Sequence, residues 1–283
     1  MALVKEGAQP GTSVAAPMPP RTATLNVAGI GRVCIWQGGS LWYGRNAGHA
    51  APHAHHAIQI TVALEEQDAG FLLRERGAPH WSDFQAAIVM PHRSHEFDGR
   101  GGWIAHVFVE PETDPGRALM RRFGAATITA LPPDCVGGAA VLKGLRQEPL
   151  ADDAAYVDAG RNVIAALAGP SPDRTRVSAR VSAAIDFLSS QRGSAVTLAQ
   201  VAEAVHLSPS RLRHVLVEET GTTFRGLVLW LRIFRALEVI TEGRSWTEAA
   251  HKAGFADSAH LSRTFRRMFG VSPATLLRED TGR

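Results

Sequence analysis

The feature that constrains this chain most is a repeat in its last third. "VAEAVHLSPSRLRHVLVEETG" ends at Gly221, and "AAHKAGFADSAHLSRTFRRMFG" ends at Gly270. In the first, Ala202, Val205 and Leu207 share one face of a short helix, the polar "SPS" turns the chain, and Leu212, Val215 and Leu216 open a second helix. In the second, Ala250, Ala253 and Phe255 precede the turn "ADS", and Leu261, Thr264 and Phe265 take the corresponding places. The step from leucine to closing glycine is nine residues in both, and a glycine there suits a left-handed helix C-cap. Turn length differs by one residue. Each unit reads as a helix-turn-helix: a small Ala lets the second helix cross closely, an apolar residue follows the turn, and the second helix keeps a polar outer face. Position 254, where the chain turns sharply, is glycine, whereas its counterpart is His206, which tolerates a left-handed backbone less well. The apolar-patterned "FRGLVLWLRIFRALEVI", Phe224 to about Ile240, joins the units as a rod of about 25 Å. Two recognition helices on such a rod stand about one DNA turn apart, near ~34 Å, if their own offset supplies the remainder.

Charge is distributed in the same sense. Divided at the Pro-rich "AGPSPDR", residues 1–172 hold 14 Lys+Arg against 16 Asp+Glu (−2), and residues 173–283 hold 16 against 11 (+5). Fifteen of those 16 cations are arginine, whose planar fork suits phosphates and guanine edges. A solvated surface would show the same excess, so the charge adds to the repeat and does not stand alone.

The ordered segments "LSPSRLRHVLVEETG", "FRGLVLWLRIFRALEVI" and "AAHKAGFADSAHLSRTFRRMFGVSP" resemble the paired helix-turn-helix domain of the AraC/XylS family of bacterial transcription regulators, over about Val177 to Leu277. The resemblance implies that exposed positions of both recognition helices reach base edges in successive major grooves. These are Ser210, Arg211, Arg213 and His214 in the first helix, and Ser258, Ala259, His260, Ser262 and Arg263 in the second. Arg263 stands where the family has a DNA-contacting arginine, but its counterpart is the shorter, mostly neutral His214, which shifts the first unit's reliance to Arg211 and Arg213. Arg232 and Arg235 on the connecting helix read equally as phosphate contacts or as solvated charges. Trp230 and Trp246 read as core.

Residues 21 to about 112 alternate like strands broken by glycine-bearing turns, in "ATLNVAGIGRVCIWQGGSLWYGR", "HAIQITVAL", "GFLLRER", "FQAAIVMPH" and "WIAHVFVEP". Many short strands predict an antiparallel barrel or sandwich. Eight of the 12 histidines lie between His49 and His106. "PHAHHAIQI" and "MPHRSHEF" resemble the two motifs of the cupin-like sensor domain that AraC-type regulators place ahead of their DNA-binding domain. In metal-binding cupins such motifs supply His-x-His, a Glu and a further His. By that resemblance His53, His55, Gln59 and His95 are the pocket or ligand set, with a neutral Gln replacing the carboxylate and His92 standing where such turns commonly have glycine. Period-two spacing would put His53, His55 and Gln59 on one strand face and turn His56 away. His106 is a candidate for the same cavity, and Trp36, Trp42, Trp81 and Trp103 read as core or as pocket wall, core being favoured. Three readings stay open for the histidines: pocket groups for an organic effector, ligands for a divalent metal (Zn, Ni, Co or Fe), or structural groups.

The expected fold is therefore α+β in two domains: a leader at 1–20, a cupin-like antiparallel β-barrel at 21–130, a helical linker or dimerisation region at 131–172, and an all-α double helix-turn-helix domain at 173–283. In the linker, "GGAAVLKGLRQ" and "DDAAYVDAGRNVIAAL" read as helices, the second with Ala155, Ala159, Val163 and Ala166 near one face; they dimerise, press on the DNA-binding domain, or only cover a barrel edge. "TRVSARVSAAIDFLSS" follows with a stripe of Val177, Val181, Ile185 and Leu188. Two cysteines, Cys34 and Cys135, encode neither a disulfide framework nor a cysteine zinc module. Without a signal-peptide pattern or an apolar run of about 20 residues, the expectation is a cytoplasmic protein with no membrane partner. The expected partners are promoter DNA, a small-molecule or metal effector, a second copy in a homodimer, and RNA polymerase if the chain activates transcription. No catalytic residue is expected. The alternative, a metal-dependent cupin enzyme fused to a DNA-binding module, has only Glu96 as a carboxylate beside the histidine motifs.

Overall fold

The computed structural model describes residues 23–27, 31–45, 48–64, 70–132, 139–144, 152–170, 177–191 and 195–273. The expected leader, Cys135 and the end of the resemblance past residue 273 lie outside the described residues.

The N-terminal part is a two-sheeted antiparallel barrel. Its larger sheet runs, in spatial order, β1 (Ala23–Val27), β2 (Gly31–Trp36), β3 (Gly39–Arg45), β10 (Trp103–Val109), β5 (Ile58–Ala63), β8 (Ala86–Val89) and β11 (Ile128–Ala130). The smaller runs β4 (His49–His53), β9 (His95–Asp98), β6 (Phe71–Glu75) and β7 (Ser82–Phe84). Strand β5 is buried along its whole length because both of its faces are covered. Ile58, Ile60 and Val62 point to a helical layer, while Gln59, Thr61 and Ala63 alternate toward the smaller sheet.

That helical layer consists of α1 (Asp114–Phe123), α2 (Ala139–Gly144) and α3 (Asp153–Ala168). α3 packs Tyr156, Ala159, Val163, Ile164 and Leu167 against the larger sheet, with Gly160 so close that a Cβ would stand 2.7 Å from the Trp36 indole. Ala166, expected on the buried stripe, is exposed; the stripe is centred on Tyr156 and Val163 instead, and it covers a sheet face rather than an edge. α1 was not anticipated, although Thr113 as N-cap, Pro at the first turn and Arg121 and Arg122 in the last announce it.

The C-terminal part is all helix: α4 (Ala179–Ser190), α5 (Leu198–Ala204), α6 (Pro209–Thr220), α7 (Phe224–Thr241), α8 (Trp246–Lys252) and α9 (Ser258–Phe269). α4 buries Val181, Ala184 and Leu188, with Val177 just ahead of the helix. Ser208 and Asp257 are N-caps, so "SPS" and "ADS" are starts of α6 and α9 rather than free turns. The two units agree bond for bond: Leu207 N–H donates to Ala202 C=O at 2.8 Å, and Phe255 N–H to Ala250 C=O at 2.9 Å. Each bond closes over a left-handed residue, His206 at φ 54° and Gly254 at φ 79°, which is the Schellman helix ending. Gly221 and Gly270 are left-handed C-caps at φ 70° and 73°. The repeat also begins earlier than its apolar pattern shows, because Thr197 with Gln200 and Ser245 with Glu248 form matching capping boxes. Since only His206 pays for the left-handed turn with a side chain, His206→Gly is expected to stabilise the first unit by about 0.5 to 1 kcal/mol, the relief of strain being partly offset by a freer unfolded chain; a thermal melt measures it.

The first unit has its own core, in which Val181, Val201, Leu212, Leu216 and Leu227 meet. The second does not. Val33, Ile35, Trp42, Ala57 and Phe108 of the barrel join Ile233, Leu237, Ala250, Phe255, Phe265 and Phe269 in one apolar cluster. Trp36, Trp42 and Trp230 are buried, Trp103 and Trp246 pack at the margins of the cores, and Trp81 lies under the Arg74 guanidinium.

Candidate nucleic-acid interface and barrel histidine cluster

Helices α6 and α9 occupy equivalent places in their units, each with its apolar face inward. On α6, Leu212, Val215 and Leu216 are buried, whereas Ser210, Arg211, Arg213 and His214 are exposed. His214 stands 3.6 Å from Glu218 one turn on, so its ring is partly engaged along the helix. On α9, Ala259, Ser262 and Arg263 are exposed and Ser258 is half-buried; His260 is half-buried with its ring edge-on to Phe255 at 5.2 Å. Nine of the eleven candidate DNA-contacting residues therefore lie on the outward faces of two like helices. The other two differ. Arg232 and Arg235 on α7 are half-buried, and Arg235 holds Glu238 at 2.7 Å, so neither is a freely solvated charge. Burial lowers the Arg232 pKa.

The barrel seats the second unit directly. Trp42 stacks on Phe269 at 4.9 Å and on Phe265 at 6.3 Å, and meets Phe108 edge-on at 5.5 Å. Across the seam Ala51 N–H donates to Gly270 C=O at 3.1 Å and Ala54 N–H to Arg267 C=O at 3.4 Å. Ala51 lies where the β4–β9 register slips, between Ala50 and His53, and Ala54 lies just past the end of β4. Ala51 and Pro52 line a shallow groove with Ser262, Arg263, Arg266 and Arg267 of α9.

Beneath that seam His53, His55 and His95 come together, as their motifs led one to expect. One ring nitrogen from each lies within 4.8 Å of the other two, and all three residues are at most 6% exposed. The cause is not the one period-two spacing suggested. β4 ends at His53 and β5 begins at Ile58, so His55 sits in the crossing between the sheets, not on a strand, and Pro52 with the bulge ends the ladder. Each Nδ1 faces a main-chain carbonyl: His53 that of Ala51 at 2.8 Å, His55 that of Ala57 at 2.7 Å, His95 that of Arg93 at 3.0 Å. Burial first, then the neighbouring imidazoles, push all three pKa values down to about 3, so the rings are neutral at pH 7. Gln59 Oε1 is 2.9 Å from His55 Nε2, and the Gln59 amide nitrogen donates to Thr61 Oγ1 at 2.9 Å. His106 joins the set through Thr61, at 3.0 Å. His92 does adopt the glycine-like backbone its position implied, at φ 61°, with its N–H donating to His55 C=O. Glu96 is engaged elsewhere: it is buried on β9, where its carboxylate is held by Arg74 and His49 rather than by these histidines.

His56 turns away, into a second cluster. Its Nε2 donates to Glu112 at 2.9 Å, both side chains are under a tenth exposed, and the ring meets Trp230 at 5.8 Å. Burial pulls the His56 pKa down, but the Glu112 charge and hydrogen bond outweigh it and hold it above its ordinary value. Glu112 is likewise raised by burial and lowered further by His56, for a net depression. Glu110, which accepts from Trp230 Nε1 at 3.2 Å, is pushed up to about 7 by burial and then by the nearby Glu112 charge.

Comparison with known proteins agrees with this arrangement. Residues 201–279 match the family described as a helix-turn-helix domain. Transcriptional activator RhrA of Rhizobium meliloti is 35% identical over 85 residues, 29% of this chain and 27% of RhrA. HTH-type transcriptional activator RhaS of Escherichia fergusonii is 35% identical over 96 residues, 34% of each chain. The chain thus spans about a third or less of the length of these relatives. Over the longer span the likeness is one of fold: ToxT from Vibrio cholerae superposes with a TM-score of 0.53 at 14% identity, covering 85% of this chain and 99% of ToxT. ToxT bound to an unsaturated fatty acid gives 0.52 at 11%, covering 94% and 100%. Among the described residues no helix is long and apolar enough to cross a membrane. With two like units in this order and one connecting helix between them, the C-terminal part carries the helix-turn-helix domain that the chain shares with the activators RhrA and RhaS, and the barrel ahead of it completes a ToxT-like fold.

Proposed function

We propose that the chain is a DNA-binding transcription regulator in which α6 and α9 enter successive major grooves of promoter DNA and the barrel governs their use in response to an effector. The observation on which this rests is the bond-for-bond agreement of two helix-turn-helix units that turn arginine-bearing faces outward. In this reading Ser210, Arg211, Arg213 and His214, with Ser258, Ala259, His260, Ser262 and Arg263, face base edges, and Arg232 and Arg235 reach phosphate only by leaving their half-buried places. The protein acts in the cytoplasm as a homodimer, each copy reading one half-site, and engages RNA polymerase where it activates. RhrA and RhaS are named as activators, not as enzymes, which supports regulation over catalysis.

A mobility-shift titration against DNA from the gene's own neighbourhood tests the reading. Arg263→Ala is expected to weaken binding by about 1 to 3 kcal/mol while leaving the melting temperature nearly unchanged, because Arg263 is exposed. Equal binding by the variant removes Arg263 from the interface, and no binding at low salt by the native chain removes the regulator reading itself.

Effector control is supported by the seam: the polar end of the barrel interior, with its histidines, Gln59, Thr61 and His106, lies under the end of α9. That ToxT, of similar fold, is bound to an unsaturated fatty acid supports an organic effector in such a frame. The histidine geometry favours a second reading, a metal signal.

A further inference from the structure

We propose that His53, His55 and His95 hold one divalent transition ion, and that its binding tightens the seat of α9 on the barrel. The proposal names the effector of the reading above and rests on that reading only for its consequence at a promoter.

The donor set is prepared for a cation. A metal-binding imidazole needs a lone pair on one nitrogen and an orienting partner for the N–H on the other. All three rings have that partner, since each Nδ1 lies on a main-chain carbonyl and so holds the proton. Nε2 is left as the lone pair in each ring. His95 Nε2 is buried and has no hydrogen-bond partner among the described residues. A buried acceptor of this kind costs about 1 to 3 kcal/mol unless something satisfies it, and the two other imidazoles around it can offer only lone pairs of their own. His55 Nε2 similarly faces Gln59 Oε1, acceptor against acceptor. Turning the Gln59 amide would relieve that contact, so it is the orphaned His95 nitrogen that points to an ion. Three neutral imidazoles with one amide oxygen suit the borderline divalent ions Zn, Co, Ni and Fe. With metal–nitrogen bonds of about 2.1 Å, the rings close in from their present separations of up to 4.8 Å.

That movement cannot be confined to the barrel. Ala51 C=O accepts from His53 Nδ1, while Ala51 N–H donates to Gly270 C=O at the end of α9. Gly270 itself stands against the same ring: a Cβ there would meet His53 Nδ1 at 2.7 Å and Ala51 O at 2.5 Å. The His55 ring lies nearly parallel to Phe269 at 6.4 Å. Fixing His53 and His55 on an ion therefore fixes the surface on which α9 rests.

The test uses the full-length protein after chelation. Co(II) is titrated in and followed by visible absorption, Zn(II) is used in competition, and bound metal is assayed. One ion per chain is expected, with His80→Ala, an exposed histidine outside the cluster, binding as the native chain does. His95→Gln is expected to lower affinity by more than the roughly 10- to 100-fold that loss of an outer partner costs. Because that variant could misfold, hydrogen exchange of the native chain supplies an independent readout: Zn(II) is expected to slow exchange of the Ala51 and Ala54 amides about tenfold and to leave α6 unchanged. No saturable binding, or equal binding by His95→Gln and the native chain, overturns the site. Binding without slowed exchange at Ala51 and Ala54 overturns the coupling. No DNA is present in either measurement, so failure of the regulator reading would not be mistaken for failure of this one.

Discussion

Glu112→Gln is expected to destabilise the full-length chain by about 3 kcal/mol, read as a fall in denaturation midpoint at unchanged slope. The change is nearly isosteric, so what it removes is charge. In the native chain His56 and Glu112 are both buried and 2.9 Å apart, and the pair raises the histidine's pKa while lowering the carboxylate's. Taking one partner from a buried pair leaves the other uncompensated, at a cost of roughly 3 to 5 kcal/mol; His56 limits the loss by shedding its proton, which places the effect at the low end. The site of the damage is specific. His56 lies on the crossing from β4 to β5 and Glu112 follows β10, and the His56 ring abuts α7 through Trp230, whose Nε1 donates to Glu110. The variant should therefore loosen the barrel from the connecting helix before either part unfolds. Replacing both partners with leucine is expected to recover most of the loss, because two apolar groups of similar size carry no desolvation cost. A double variant as unstable as Glu112→Gln would show that the pair's value is steric rather than electrostatic.

What could be read from residues alone was what short-range chemistry decides. α7 runs Phe224–Thr241, within one residue of its apolar pattern, and His206 takes the left-handed turn that its alignment with Gly254 required. The histidine set was also legible, because two motifs supply it, but its cause was not. His53 and His55 were expected on one strand, whereas Pro52 and a bulge end β4 and send His55 into a crossing. Strand β4, "HAAPH", has small residues and a proline where β-propensity looks for branched ones, and so gave no strand signal. The seam was the larger omission. Trp42, Phe265 and Phe269 each satisfy the pattern of an ordinary core residue, and nothing local distinguishes a core within one domain from a core shared by two. The two capping boxes and the Thr113 cap were present in the residues and would have extended the repeat and revealed α1.

The shared seam makes the two units unequal in a way that a matched pair of variants should expose. Gly221→Ala and Gly270→Ala place the same methyl at the same kind of helix end, φ 70° and 73°, and each is expected to cost about 1 to 2 kcal/mol for the left-handed backbone. At Gly221 the new Cβ meets only the His92 side chain, at 3.3 Å, which can give. At Gly270 it meets the Ala51 carbonyl oxygen at 2.5 Å and His53 Nδ1 at 2.7 Å, where backbone must move. The bonds from Ala51 and Ala54 to α9 and the stacking of Trp42 on Phe269 are then lost together. Exposing a tryptophan-sized contact costs about 3 to 5 kcal/mol when it occurs in a core, so Gly270→Ala should undock the second unit while Gly221→Ala leaves it seated. Trp42 reports the difference through a red-shifted emission, and faster exchange of the Ala51 and Ala54 amides locates it. Equal behaviour of the two variants would mean that α9 rests on the barrel by contact alone, with no energetic dependence of one part on the other. A larger effect at Gly270 would make the barrel mouth and α9 a single cooperative element, which is what the proposed control of that helix from within the barrel requires.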